Sequence, residues 1–206
     1  MHLSEGVLHT PILLTGAVLA VIGITIGIRR LEVENLPLAA LFAAAFFVAG
    51  TIHIPVGIGS VHLILNGMAG LFLGWAVFPA FLIALLLQVL FFSFGGFAVL
   101  GVNLCLMATP ALIAHYLFRS FLMPKMPLKS RLFVGIGAGI IGVGGAAALA
   151  SLALVLDGGK SYSSLVGLLL ISHIPVFVLD SLISVGVISL LCKMYPQALN
   201  RTAIVS

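Results

Sequence analysis

Of this chain's 206 residues, 62% are hydrophobic and only 7% charged, which excludes a soluble domain at about 45–50% apolar and about 25% charged. Its net charge of +4 rests on nine Lys and Arg scattered through short polar stretches. That pattern sets membrane topology and does not make a nucleic-acid surface.

In chain order, "MHLSEG" comes first, with no basic lead-in and no small-residue cleavage site of a secretory signal. The expectation is that this opening stays on the mature protein. Apolar runs then follow at 11–28, stopped by Arg29 and Arg30, and at 38–56, 61–75 and 76–92. After the glycine-bearing connector "SFGGFAVLGVN" come runs at 104–122, 132–156 and 165–191, separated by "MPKMPLKSR" and "DGGKSYSS". A spanning helix needs about 20 mostly apolar residues, so these read as seven spans, the third short enough to be partly re-entrant. The fold class is all-α and polytopic, a single transmembrane domain over residues 1–206.

Seven spans put the termini on opposite sides. Arg29, Arg30, Arg119, Lys125, Lys129, Arg131, Lys193 and Arg201 then share one side, with only Lys160 on the other. The positive-inside rule makes the shared side cytoplasmic and the N-terminus external. Gly23/Gly27, Gly70/Gly74 and Gly135/Gly139 are small-xxx-small pairs, suited to packing within the bundle or against a partner subunit. Cys105 and Cys192 fall near opposite faces and are expected to be buried free thiols.

Ionisable residues inside a membrane are costly and mark function. His2, His9, His53, His62 and His173 all fall toward the outer face and only His115 toward the cytoplasm, which points to an external site for a transition metal. The Met1 amine, the His2 amide nitrogen and His2 Nδ1 can chelate one ion through a five- and a six-membered ring. With an imidazole from elsewhere they suit square-planar Ni(II) or Cu(II). This requires that Met1 remain and its amine be unblocked; a second-position His is otherwise an ordinary surface residue. His62 and Asn66 are four apart, at helical spacing for one face, and His62 is either a ligand or a hydrogen-bonding partner across the bundle. "TIHIP" and "ISHIP" place His53 and His173 where each could satisfy a carbonyl left unpaired by the proline. His173 and Asp180, seven apart, read as a proton relay or as a buried acid orienting a neighbouring helix. "LVLDGGKS" lacks the first glycine of a phosphate loop, and Ser93 has no G-x-S-x-G around it, so neither nucleotide hydrolysis nor a serine hydrolase is expected.

Four segments, in order, resemble the CbiM/NikM nickel/cobalt substrate-specificity subunits of energy-coupling-factor transporters. They are "MHLSEG", "GSVHLILNGMAGLFLGW", "LLLQVLFFSFGGFAVLGVN" and "SHIPVFVLDSLIS". The resemblance implies that residues 1–10 fold back into the outer mouth of the bundle. It also implies that Met1, His2 and His62 hold Ni(II) or Co(II), which is the transported substrate. Ser60, Asn66, His53, His173 and Asp180 are then the residues expected around the ion or along its path. The chain itself is not an enzyme. The resemblance implies that ATP hydrolysis falls to two cytoplasmic ATPase subunits, joined by a membrane coupling subunit and in some systems a small accessory membrane subunit. The location is the prokaryotic cell membrane, in contact with lipid and not nucleic acid. The whole subunit is implied to tilt in the membrane to release its ion inward.

Two positions depart from the family pattern. Phe94 replaces a His before the paired glycines, and Asp180-Ser181 replaces Glu-Gly. The short linker after the first span and "SVHLILNG" look closer to the nickel-type members of the family, so the resemblance implies nickel ahead of cobalt. A proton-coupled carrier using His173 and Asp180 without ATPases is the alternative.

Overall fold

The computed structural model describes residues 3–56, 59–158 and 163–200. Helix α1 (Thr10–Arg30) starts with Pro11 in its first turn and ends on Arg29 and Arg30, which complement the dipole at its C-terminus. Its buried stripe is Gly16, Ala20, Gly23 and Gly27, while Leu14, Val18 and Val21 face outward at about 60% exposure. Small residues inside and large apolar ones outside is the arrangement of a helix whose solvent is lipid. A Cβ on Gly23 would meet Phe78, and one on Gly16 would meet Val102.

Helix α2 (Leu36–Ala49) ends short of the span expected to reach residue 56. Residues His53–Val56 (β1) and Gly59–His62 (β2) instead form an antiparallel hairpin, pairing His53 with His62 and Ile54 with Val61. The expectation of helix on both sides of this stretch is therefore corrected. Pro55 cannot donate to a helical ladder, Gly57 and Gly59 weaken a helix, and Ile54, Val56 and Val61 favour extended backbone. A two-stranded ribbon at the end of a membrane bundle is tolerated where it lines a cavity, since open lipid would leave its edges unpaired.

Helix α3 (Asn66–Leu73) is short, and all eight of its residues are buried. A Cβ on Gly70 would fall on the Ala111 carbonyl, so α3 lies directly on the backbone of helix α5 (Leu100–Phe118). Gly74 then takes a positive φ of 52° before helix α4 (Val77–Phe92). By length and composition Asn66–Phe92 counts as one of five helical segments able to cross a membrane among the described residues. A straight helix of that length would hold its ends about 40 Å apart. The rings of His62 and Phe94, just outside those ends, lie 6.5 Å apart, so the chain reverses at Gly74. At the turn, Trp75 Nε1–H donates to the Tyr116 hydroxyl (2.9 Å) and Arg30 sits 5.8 Å from the indole.

The other spanning segments are Thr10–Arg30, Leu100–Phe121, Leu128–Gly158 and Val166–Met194, with the shorter apolar stretch Val33–Ala49 beside them. The chain is a multi-pass membrane protein. Helix α6 (Leu128–Gly139) continues through a π-helical segment, Ile140–Gly144, into α7 (Gly145–Gly158). The widened turn frees the Gly142 carbonyl, which accepts a hydrogen bond from Asn66 Nδ2 at 3.0 Å. Helix α8 (Ser163–Ser172) breaks at His173, where Pro175 opens α9 (Ile174–Met194). Gly135 and Gly139 pack on Val185 and Ser181 of α9, so these glycines serve the chain's own bundle. Cys105 and Cys192 are free and half-buried.

Candidate metal-binding site

The segment ahead of α1 is pinned at three points. Leu3 and Asn103 form a two-way clasp: the Leu3 amide donates to Asn103 Oδ1 (2.9 Å), and Asn103 Nδ2 donates to the Leu3 carbonyl (3.0 Å). Both residues are buried, so water cannot substitute. Glu5 donates its amide to the Gly95 carbonyl and accepts from the Ala98 amide at 2.8 Å. Gly96, with φ +125°, has no room for a Cβ because the Glu5 side chain fills that space. His9 closes the set, its amide and Nδ1 both donating to the Asp157 carboxylate at 2.8 Å. The paired glycines of "SFGGF" thus form the seat of the N-terminal segment.

That segment ends at a cavity of about 490 Å³ lined by Leu3, Ser4, His53, His62, Phe94 and His173, among others. His62 is 7% exposed, and its Nδ1 faces the Leu63 carbonyl at 2.8 Å. A carbonyl only accepts, so Nδ1 carries the proton and Nε2 the lone pair, the form that ligates metals. His53 stands opposite in the hairpin register, exposed, with its Nδ1 donating to the Thr51 carbonyl four residues before Pro55. The two imidazoles lie 6.2 Å apart. Phe94 lies parallel to His62 and edge-on to His53 at 5.5 Å, so it walls the site between them. His173 also donates from Nδ1, to the Leu169 carbonyl at 2.7 Å.

Asp180 is 1% exposed, and its carboxylate accepts from the Leu65 amide (2.7 Å) and the Ile64 amide (3.4 Å). It holds the bend after His62, where Leu65 has a left-handed φ of 55°. Asn66 donates to the Met107 and Gly142 carbonyls and accepts from the Gly67 amide. Asp180 and Asn66 therefore shape the loop that presents His62. Ser60 lies in β2, with its side chain outside the described residues, and Met1 and His2 lie outside them altogether. Among the described residues no three His, Cys, Asp or Glu side chains converge on a metal position. A larger cavity of about 910 Å³ is lined by Lys125, Arg131 and Lys193, whose charge would repel a cation.

Asn103, Glu5, Gly96 and Asp157 hold the N-terminal segment in place and were not singled out from the sequence. Asn103 carried a usable signal, because an amide in an apolar helix needs partners. The Asp157 pairing, across 148 residues, carried none.

A family model described as the cobalt uptake substrate-specific transmembrane region, CbiM, matches residues 2–198. A putative metal transport protein of Haemophilus influenzae is 83% identical over 202 residues, covering 98% of each chain. The cobalt transport protein CbiM of Sorangium cellulosum is 27% identical, covering 100% of this chain and 97% of its own. The fused nickel transport protein NikMN of Rhodobacter capsulatus is 42% identical over 82 residues, 39% of this chain and 24% of that one. A solved transition metal transporter, 20% identical, superposes with a TM-score of 0.77 over 94% of this chain and 99% of its own, so the fold is shared.

Proposed function

Because this chain belongs to the CbiM family of cobalt and nickel transport components, we propose that it is the ion-capturing membrane subunit of an ATP-driven importer, with nickel as its first substrate. Four nitrogens hold the ion near one plane: the Met1 amine, the His2 amide nitrogen, His2 Nδ1 and His62 Nε2. The observation that carries this reading is the clasp of Leu3 by Asn103 beside a cavity that His62 lines. Leu3 and His62 line the same cavity, and donors one and two positions upstream of Leu3 lie within about 3.8 Å of chain per residue from it. Geometry then sets selectivity, since raw affinity would favour Cu(II) over both nickel and cobalt.

The bundle is read as one domain crossing the membrane seven times, with residues 1–10 folded into its outer mouth. The reversal at Gly74 supports separate crossings by α3 and α4. The positions of Arg29, Arg30, Arg119, Lys125, Lys129, Arg131 and Lys193 support an external N-terminus and a cytoplasmic C-terminus. Relatives named as fused transport proteins, NikMN and CbiMQ, support a partner membrane subunit. The ATPases complete the importer, and this subunit hydrolyses nothing itself. A proton-coupled carrier is the weaker reading, because the Asp180 carboxylate is engaged by the Ile64 and Leu65 amides.

The test is a Ni(II) and Co(II) titration of the purified subunit, followed through the visible absorption band. Wild type is compared with His2→Ala, His62→Ala and a form with one extra N-terminal residue. One tightly bound nickel with a square-planar spectrum, lost in all three variants, is the expected result. Equal binding by the extended form would remove the amine from the ligand set.

A further inference from the structure

The acidic residues of this chain are Glu5, Glu32, Glu34, Asp157 and Asp180. None of them lines the cavity of about 910 Å³ around which Lys125, Arg131 and Lys193 stand. Among the described residues none of these three cations is in an ion pair. Lys125 and Lys193 are exposed, so their ammonium groups are open to a ligand. Arg131 is half-buried, and its Nε donates to the Met126 carbonyl at 3.1 Å, which orients the guanidinium with both Nη groups to spare. Three like charges around one space repel each other, and an anion among them relieves that repulsion.

Topology accounts for basic residues at this end of the spans, but not for a cleft beside them. The cleft lies where two spanning segments end, with Arg131 near the start of Leu128–Gly158 and Lys193 near the finish of Val166–Met194. That is the depth of lipid headgroups. From Lys193 the lining continues along α9 through Leu190 to Gly186, positions three and seven residues back on one helix face. It therefore runs about 10 Å into the span. Leu190 is 54% exposed, and a Cβ on Gly186 would meet nothing within 4 Å, so this inner end is apolar and open. A free phosphate would use the basic end alone. An acidic polypeptide would carry unpaired backbone into the apolar end. A phospholipid matches both ends, and basic pockets between membrane helices suit its headgroup.

From these observations we infer that the cleft between the start of α6 and the end of α9 binds one anionic phospholipid. Lys125, Arg131 and Lys193 hold its phosphodiester, and an acyl chain lies along Leu190 and Gly186. The site is separate from the ion-capture reading above, because His173 and Lys193, at opposite ends of α9, are about 30 Å apart along the helix.

The experiment is native mass spectrometry of the purified full-length subunit in neutral detergent, titrated with phosphatidylglycerol or with phosphatidylcholine of the same acyl chains. One phosphatidylglycerol should be retained, about tenfold more tightly than phosphatidylcholine. Lys125→Gln and Lys193→Gln should each weaken that binding by about fivefold. Lys129→Gln removes the same charge from a neighbour outside the lining and should leave it unchanged within about twofold. Gly186→Leu fills the apolar end, keeps every charge, and should also weaken it by about fivefold. The thermal midpoint of each variant without added lipid shows that it is folded. Equal retention of the two lipids would overturn the proposal and leave the cleft to an acidic protein segment. An equal loss in Lys129→Gln would also overturn it, as diffuse surface attraction. So would displacement of the lipid by millimolar inorganic phosphate, or full binding by a folded Gly186→Leu variant, since either describes an anion site without an acyl groove.

Discussion

Asn103 puts a side-chain amide into an apolar helix and uses it entirely on the backbone of Leu3, one hundred residues earlier. Removing it as Asn103→Ala leaves a buried amide and carbonyl of Leu3 unpaired, a cost of about 1–3 kcal/mol per group. If the segment positions the ligands, nickel affinity should drop by about ten- to a hundredfold, the usual penalty for losing an outer partner of a metal site. Titration of a variant shown to be folded checks this. Asp180 divides the same way: Asp180→Asn keeps an acceptor for Leu65, whereas Asp180→Ala leaves the Ile64 and Leu65 amides bare. The alanine variant should unfold at distinctly lower temperature in detergent, and the asparagine variant should stay close to wild type. Affinity should also rise with pH. If the Met1 amine and the His2 amide nitrogen are ligands, protons compete for both, the amine with a reference pKa of about 7.7–8.0. Each proton displaced adds about tenfold in apparent affinity per pH unit, flattening for the amine above its own pKa. Nickel titrations between pH 6 and 9 read that slope.

Among the elements, α3 depends most on contact with its neighbours. It has eight residues, too few to be stable alone, and is held by burial on every side. Gly70→Ala should prevent close packing on α5 and sharply lower expression and thermal stability, because the new Cβ meets the Ala111 backbone and not a side chain that could turn away. Gly186→Ala in α9 is the control: nothing lies within 4 Å of the added Cβ, and its thermal midpoint should match wild type. Most helices were legible because apolar runs bounded by Arg29-Arg30 or "MPKMPLKSR" are local signals. The hairpin was not. Its residues are as apolar as the helices on either side, and hydropathy alone cannot separate a buried strand from a buried helix. The Pro55 and Gly59 signals outweighed it only in the folded context.

For the molecule as a whole, the reversal at Gly74 determines which loops share a membrane face. If α3 and α4 cross separately, the hairpin end and the α4–α5 connector lie together outside. Single cysteines at Thr51 and Phe97, in a background lacking Cys105 and Cys192, should then both react with an impermeant thiol reagent on intact cells. A Lys125→Cys variant should react only after permeabilisation. Were Asn66–Phe92 one crossing, Thr51→Cys and Phe97→Cys would label from opposite sides.

The sequence alone determined the membrane class, and it named the basic loops and the candidate metal ligands. Hydropathy, charge placement and side-chain chemistry are properties of single residues and short windows. Only the tertiary structure decided what those residues do. It spent Asp180 and Asn66 on the loop behind His62, put Gly96 against Glu5, and buried His173 Nε2 without a partner among the described residues. Each of these depends on groups up to 116 residues apart meeting at about hydrogen-bond or van der Waals distance, which no local pattern encodes.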